Sequence, residues 1–288
     1  MDVSIIIVNY NTKYLLANCL STIFDNTKDV SFEIIVVDNA SQDDSKEYIC
    51  QHYPSVRWIS SKENLGFGRA NNLGAKYAIG QYLFLLNSDT LLENNAVKIF
   101  WEYMQKHSNQ NIGVLGGWLL DENKKPNRSF GFFPNAKNEI NYLLKIHHLP
   151  ILNDIVLEKN VDYIVGADLF IAKKLFDQLD GFDNNIFMYY EETDLQYRIA
   201  LLGLCRRIIP GPCIIHLEGG SFENKGLSFS RFLMAQSSYN YYMRKNFHGF
   251  SYYYNRFMLC LIRLTIFITT NWTFSEKLKA YRLVLSGK

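Results

Sequence analysis

Apolar and polar positions along the chain fall into alternating blocks. Ser4-Ile5-Ile6-Ile7-Val8 is a continuous, β-branched run closed by Asn9-Tyr10-Asn11. After it, Leu15, Leu16, Cys19, Leu20 and Ile23 recur at helical spacing. Glu33-Ile34-Ile35-Val36-Val37 is a second such run, closed by Asp38-Asn39-Ala40-Ser41. A helical segment around Tyr48 and Ile49 and a short strand at Val56-Arg57-Trp58-Ile59 follow. Asn71 to Ile79 has a helical pattern, and Tyr82-Leu83-Phe84-Leu85-Leu86 is a strand ended by Asn87-Ser88-Asp89. Buried strands alternating with helices predict a parallel sheet covered on both faces. Ligands of such sheets bind beyond the carboxyl ends of the strands. Three strands here end in polar clusters. Asp, Asn and Ser also make turns and helix caps, but three clusters at one edge favour a binding site over three unrelated turns.

Between the third and fourth strands, Asn64-Leu65-Gly66-Phe67-Gly68-Arg69-Ala70-Asn71-Asn72 reads as a glycine loop leading into a helix. Its glycines allow close backbone approach, and Arg69 suits a phosphate. The spacing matches neither the dinucleotide fingerprint nor the Walker pattern. Residues 121–160 are polar and irregular and read as a loop region over a cleft. Farther on, Asp162 to Ile171 is two apolar stretches broken at Gly166-Ala167-Asp168, either a ligand-facing break or a β-bulge with an exposed Asp. Lys173 to Leu179 is a short helix pattern and Asp180 to Asp183 a turn.

Phe187 to Arg198 carries the densest chemistry. Glu191, Glu192 and Asp194 fall within four positions after an aromatic run, and Leu195, Ile199 and Leu202 then recur at helical spacing. Carboxylates at the mouth of a helix beside apolar surface suit a general base. They also suit the helix macrodipole, and Asp194 with Arg198 forms an ordinary i,i+4 pair. His216-Leu217-Glu218-Gly219-Gly220-Ser221 follows a strand at Cys213-Ile214-Ile215; His216 reads equally as structural or as part of a site.

Composition narrows the class. The chain has 288 residues, 48% hydrophobic and 20% charged, enough for one large domain or two small ones and too apolar for disorder. Five scattered cysteines without metal spacing suggest reduced thiols in a cytosolic protein, and no signal peptide is expected from the first residues. The net charge of +2 conceals an asymmetry: Arg231 to Lys288 contains nine Lys and Arg against Glu276 alone. That tail is aromatic, and Phe257 to Thr270 is almost wholly apolar but too short to span a bilayer as a helix. It reads as a helix lying on an anionic membrane surface or as a helix packed on the core. Arg244 and Lys245 are candidates for a lipid-linked phosphate or anionic lipid. No nucleic-acid partner is expected.

Taken in order, Ser4 to Asn11, Val36 to Ser45, Asn64 to Asn72, Leu86 to Thr90, Gly166-Ala167-Asp168, Gly181 to Arg198 and His216 to Ser221 resemble the inverting family 2 glycosyltransferases of GT-A fold, especially the bacterial rhamnosyltransferase-like branch. The resemblance covers roughly residues 3 to 250. It implies a Rossmann-like α/β domain over residues 1–235, with a nucleotide-sugar half (1–115) and an acceptor half (116–235), followed by a basic helical extension over 236–288. It implies Mg²⁺ or Mn²⁺, a dTDP-rhamnose-like or UDP-sugar donor, and a glycan or polyprenyl-diphosphate-linked saccharide acceptor at the inner face of the cell membrane. By position, Asn9, Tyr10, Asn11, Asp38, Asn39 and Ser41 would line the base and ribose pocket, with Asp38 accepting from a pyrimidine imide. Arg69 and Asn72 would face the ribose or diphosphate. Asn87-Ser88-Asp89 stands at the family's Asp-x-Asp, with Asn in first place, leaving Asp89 as the best metal ligand, joined by His216. Gly166, Ala167 and Asp168 would meet the acceptor, and Ser221 would suit closure over the diphosphate. Glu192 is favoured over Glu191 as the base, with Asp194 and Arg198 positioning the segment. Rival readings are a sugar-phosphate nucleotidyltransferase and a nucleotide-sugar-binding subunit without catalysis.

Overall fold

In a computed structural model, residues 1–146, 156–217 and 228–287 are described. The first half alternates β1 (Val3–Asn9), α1 (Lys13–Asn26), β2 (Phe32–Asp38), α2 (Ser45–His52), β3 (Arg57–Ser60), α3 (Phe67–Ala75) and β4 (Tyr82–Asn87). There follow β5 (Thr90–Leu92), α4 (Ala96–Lys106), β6 (Ile112–Leu120), β7 (Phe130–Gly131), α5 (Ala136–Leu143), β8 (Lys159–Val161), β9 (Tyr163–Ile164), β10 (Asp168–Ala172), α6 (Lys173–Gln178), α7 (Glu191–Leu201) and β11 (Cys205–His216). Four helices close the chain: α8 (Phe229–Asn246), α9 (Gly249–Arg263), α10 (Ile266–Thr269) and α11 (Phe274–Ser286).

Period-two alternation divides each strand's apolar run between two cores. Ile5, Ile7, Ile34, Val36, Phe84 and Leu86 face α1, α2 and α4. Ile6, Ile35, Val37, Leu83 and Leu85 face α3, α6 and α7. The strands are buried on both faces, which is why they read as unbroken hydrophobic runs. The main sheet runs β3-β2-β1-β4-β10-β6-β11-β5, with β8 added on β11. β3, β2, β1 and β4 are mutually parallel, as are β6 and β11, whereas β10 lies antiparallel between β4 and β6. The chain passes from β1 to β2 and β3 on one side, then returns to place β4 on the other. The carboxyl ends of β1 and β4 therefore flank a topological switch point, where a crevice opens.

Several boundaries differ from the sequence reading. The glycine loop at 64–72 is mostly helix: α3 starts at Phe67 after Gly66, whose φ of 78° and tight fit against Phe187 require glycine (a Cβ there would meet the Phe187 carbonyl oxygen at 1.9 Å). Residues 121–160 are not one loop, since they contain β7, α5 and β8; residues 147–155 lie outside the described residues. The proposed division at 115/116 falls inside β6, and that at 235/236 falls inside α8. β6 continues because the glycines that interrupt its hydrophobic pattern sit where neighbours leave no room: a Cβ on Gly116 would meet Ile164 at 2.4 Å. α8 continues because its buried Phe232, Tyr239, Tyr242 and Met243 form one core with Leu259, Ile266, Ala280 and Val284.

That third core is joined to the α/β body by charge as well as by packing. Lys245 on α8 pairs with Asp183 at 2.6 Å and with Asp194 at 2.8 Å. Arg198 pairs with Asp194 at 2.9 Å and donates to the carbonyls of Leu179 and Gly181. Ser238 donates to the Met188 carbonyl, and Tyr241 to Asp183. Burial opposes ionisation of Asp183, but Lys245, the Asn185 amide and Tyr241 outweigh it and hold its pKa down at about 2. Lys245 is thus fully engaged and does not serve as a free cation for phosphate or lipid. Asp194 is completely buried, so loss of one of its cations leaves charge without solvent. We expect Lys245→Ala to lower stability to urea by about 3 kcal/mol, Arg198 still serving Asp194; an unchanged denaturation midpoint would show that this junction does not hold the helices.

Candidate active site

The carboxyl ends of β1 and β2 are laced together by Asn9. Its side-chain amide nitrogen donates to Asp38 and to Ser41, each at 3.0 Å, and its oxygen accepts from Thr12 at 2.8 Å. Asn9 is wholly buried, so it shapes this edge from beneath and does not line a base pocket. Asn39 is likewise consumed: it donates to Asn64 and to the Gly66 carbonyl and accepts from the Leu65 amide. It latches the 64–66 turn in place. Asn72 brackets the Phe182 backbone, donating to its carbonyl and accepting from its amide, and lines the same groove as Arg69. Each of these amides uses both its donor and its acceptor within the protein, which is what a buried Asn must do.

Other members of the set remain open. Tyr10 is exposed, and Asn11, at φ 55°, turns its side chain to the Gln42 amide. Ala40 also has positive φ, at 64°, giving the bend that brings Ser41 under Asn9 and the Asn11 amide. Asp38 keeps a small exposed fraction. Ser88 lies 3.1 Å from Thr12 through their hydroxyls. Arg69 donates to the Leu65 carbonyl, lies 5.9 Å from the Phe187 ring centre, and runs along a groove between α3, α6 and the 180–184 turn. It is not tied to the strand-end cluster.

Asp89 and His216 meet across the antiparallel pairing of β5 with β11, where His216 stands opposite Thr90. Their side chains approach to 3.4 Å, and the Leu217 amide donates to the Asp89 carbonyl. The other ring nitrogen of His216, Nδ1, is buried without a hydrogen-bond partner. A carboxylate and an imidazole fit a divalent cation, but they are only two ligands. No group of three His, Cys, Asp or Glu placed to hold a metal ion exists among the described residues. The residues therefore fit a cation completed by diphosphate oxygens and water, not an all-protein cage. Glu218 to Ser221, which include the residue expected to close over the diphosphate, lie outside the described residues.

α7 packs against α3 and β9. Tyr189 and Tyr190 both have φ of 67°, a left-handed conformation that costs bulky residues of order 1 kcal/mol or more each. The packing of Tyr190 against Tyr239 and Tyr242 of α8 holds it there. This double bend delivers Glu191 and Glu192 as the first two residues of α7. Their surroundings differ. Glu191 is buried beneath α3, with Oε2 unpartnered, and a Cβ on Gly68 would lie 3.4 Å from its own Cβ. Glu192 is half-buried beside Gly166, where a Cβ would lie 3.8 Å from its Cβ. Burial raises both pKa values, Glu191 well above the ordinary range, with the Glu192 charge pushing it further. The Arg128 charge counters part of the rise at Glu192. Burial opposes ionisation of both side chains, and Glu191 is the more deeply buried of the two.

Gly166 and Ala167 bridge this helix mouth to the donor edge, because the Asn87 amide donates to the Ala167 carbonyl at 3.0 Å. The sequence reading is corrected at two of the three acceptor positions. Ala167 is buried, and Asp168 is wholly buried with one carboxylate oxygen accepting from the Gly117 amide at 2.6 Å. Burial drives the Asp168 pKa well up, and the side chain has no contact with solvent. Gly166 alone faces the cleft. Asp194 and Arg198 stand behind Glu191 and Glu192, in the ion network described above.

Three groups escaped the sequence reading. Arg128, at the open rim, donates to the Tyr163 hydroxyl at 3.1 Å and acts electrostatically on Glu192. Gln196 clamps α7 to β9 through paired hydrogen bonds with the Ile164 backbone at 2.8 and 2.7 Å. Thr12 joins the β1 and β4 edges. None of the three belongs to a recognisable motif in sequence, and only the fold gives it a partner.

Residues 4–154, just over half of the chain, match the sequence model of the Glycosyl transferase family 2. The chain is 27% identical over 212 residues to the low-salt glycan biosynthesis hexosyltransferase Agl10 of Haloferax volcanii, covering 68% of this chain and 61% of that protein. It is 26% identical over 255 residues to the rhamnosyltransferase WbbL of Escherichia coli, covering 84% of this chain and 93% of the other. Among solved structures, GalNAc-T7 crystallised with UDP, GalNAc and Mn²⁺ superposes with a TM-score of 0.66 at 15% identity, over 98% of this chain and 54% of that one; this likeness is one of fold. Together with the ordered strand-end clusters and the mostly parallel sheet, the match shows that this chain belongs to glycosyl transferase family 2, on a GT-A-like fold.

Proposed function

We propose that the chain transfers a sugar from a nucleotide-sugar donor to a glycan hydroxyl with inversion at the anomeric carbon, and that Glu192 is the base. The observation that carries this reading is the junction at Gly166–Ala167. There the one half-open carboxylate of the α7 mouth lies beside Gly166, and the next residue is hydrogen-bonded to the end of β4. Inverting transfer needs a single base on the face opposite the leaving group, not a pair of acting carboxylates. The acceptor oxygen forms its bond to the anomeric carbon as the carbon–diphosphate bond breaks. The diphosphate leaves with the bonding electrons, and the hydroxyl proton passes to Glu192. Burial disfavours a second charge on Glu191 that would repel that diphosphate.

The base and ribose of the donor belong over Tyr10, Asn11, Asp38 and Ser41, with Asn9 and Asn39 fixing these groups from below. A pyrimidine donor suits the Asp38 carboxylate as acceptor for an imide N–H. Similarity to a rhamnosyltransferase makes a dTDP-rhamnose-like donor the first choice and a UDP-sugar the second. Asp89 and His216 would hold Mn²⁺ or Mg²⁺. A bound cation would neutralise charge developing on the departing diphosphate. The acceptor is assigned to a saccharide on a polyprenyl diphosphate carrier, which would bring the chain to the inner face of the cell membrane.

Glu192→Gln should lower kcat by about a thousandfold while leaving donor affinity, measured by calorimetry, nearly intact; Glu191→Gln should keep most of the turnover. Unchanged product formation in Glu192→Gln would sink the assignment.

The pH dependence has a definite sign. The raised pKa of Glu192 means that the base is ionised only above it, so kcat/KM should be lost as pH falls through a midpoint above the ordinary glutamate value of 4.5. Stability moves the other way. Carboxylic acids that are neutral in the fold favour it below their folded pKa and cease to do so as pH rises through it. A midpoint at or below 4.5 in the rate profile contradicts the burial argument.

Chelation by EDTA should abolish turnover and Mn²⁺ should restore it, with Asp89→Ala needing at least about tenfold more Mn²⁺ for half-maximal rate. Full activity in EDTA would remove the cation from the reading.

A further inference from the structure

α9 is apolar on two opposite faces. Asn255, Leu259 and Ile262, followed by Ile266 of α10, are buried against α8, α11 and α5. Successive helical residues turn by about 100°. Phe250, Tyr253, Phe257, Leu261, Leu264 and Ile268 therefore share the opposite stripe, where they are 84%, 71%, 63%, 46%, 45% and 87% exposed. Leu264 and Thr265 keep right-handed helical dihedrals, so the stripe continues unbroken from α9 into α10 over about 28 Å. A soluble helix of this kind ordinarily presents polar residues outward. An exposed contiguous apolar stripe of this size marks an interaction surface.

Charge identifies the occupant. From residue 229 to the end there are nine Lys and Arg, and the only acid, Glu276, is bound into the capping box of Thr273 at the start of α11. Lys245 and Arg263 are paired with acids of the α/β body and α5. Arg244, Lys279 and Arg282 remain exposed, and Lys277 reaches the Phe267 carbonyl beside the end of the stripe. A second copy docked here would bring two basic, acid-poor surfaces together. An anionic bilayer leaflet offers the complementary charge and the apolar depth. No helix among the described residues is long and apolar enough to cross a membrane.

We propose that the α9–α10 stripe beds into the headgroup–acyl boundary of an anionic leaflet. This deepens the reading of a carrier-linked acceptor, which it takes as its setting, but its test needs neither donor nor acceptor. The full chain should float with vesicles of phosphatidylcholine containing about one-third phosphatidylglycerol, and bind pure phosphatidylcholine more weakly. Phe257→Ser combined with Ile268→Ser should reduce the bound fraction by about tenfold. Should that variant misfold, Leu261→Trp supplies an independent readout: its emission should shift to the blue and be quenched by bromine-labelled acyl chains.

Three results overturn the proposal. They are Leu261→Trp emission indifferent to anionic vesicles, equal partition into neutral and anionic vesicles, and a lipid-free dimer that Phe257→Ser converts to monomer. Vesicle binding with no transfer to any acceptor would leave the lipid contact standing and defeat the proposed activity instead.

Discussion

The buried carboxylate of Asp194 is the point on which the arrangement turns. It lies in the first turn of α7, fully removed from solvent, with Arg198 on one side and Lys245 on the other. With Asp183 it completes a neutral set of two anions and two cations. Such sets are costly to assemble and far more costly to leave incomplete. Arg198 draws in the 179–181 carbonyls and Lys245 draws in α8, so three separate segments take their positions from one side chain. Glu191 and Glu192 precede it by three and two residues on the same helix. The geometry of the presumed proton acceptor is therefore an outcome of an ion network that never touches substrate.

Much of the scaffold could be read from the chain because burial on both faces leaves a simple mark. β1, β2 and β4 appear as unbroken apolar runs, and the polar residues after them fall at the one edge where the strand order reverses. What escaped was whatever depends on partners far away in sequence. Lys245 lies 51 residues from Asp194, and read alone it looked like a free cation near a membrane. The boundary drawn inside α8 failed for the same reason, because a tail rich in aromatics and cations looks separable until Tyr190 is seen packed against Tyr239 and Tyr242.

The site itself was legible by residue type more than by role. Asn and Asp at strand ends serve as ligands, caps or internal braces with the same side-chain chemistry, and sequence does not tell which. Asn9 and Asn39 prove to be braces, and Asp168 is buried within the sheet, whereas Tyr10 is exposed and Asp38 and Asp89 keep a small accessible fraction. The two adjacent glutamates were indistinguishable as letters. Their difference comes from the helix: one side chain turns under α3 and the other toward Gly166. The left-handed Tyr189–Tyr190 bend that sets this phase has no sequence signature, since neither residue favours that conformation.

The antiparallel strand β10 fills the slot between β4 and β6 at the middle of the main sheet, yet it is supplied by residues 168–172, beyond the stretch of 4–154 that carries the family match. On a ribosome the neighbours of that slot emerge first. Until residue 172 is free, β4 and β6 each present an unpaired hydrophobic edge, the template on which foreign strands pair. The sheet therefore cannot be completed from its N-terminal half, and contacts of long sequence separation close slowly. During synthesis the nascent chain passes through an interval in which both edges are open, and a fragment ending at residue 154 would lack the strand that closes them.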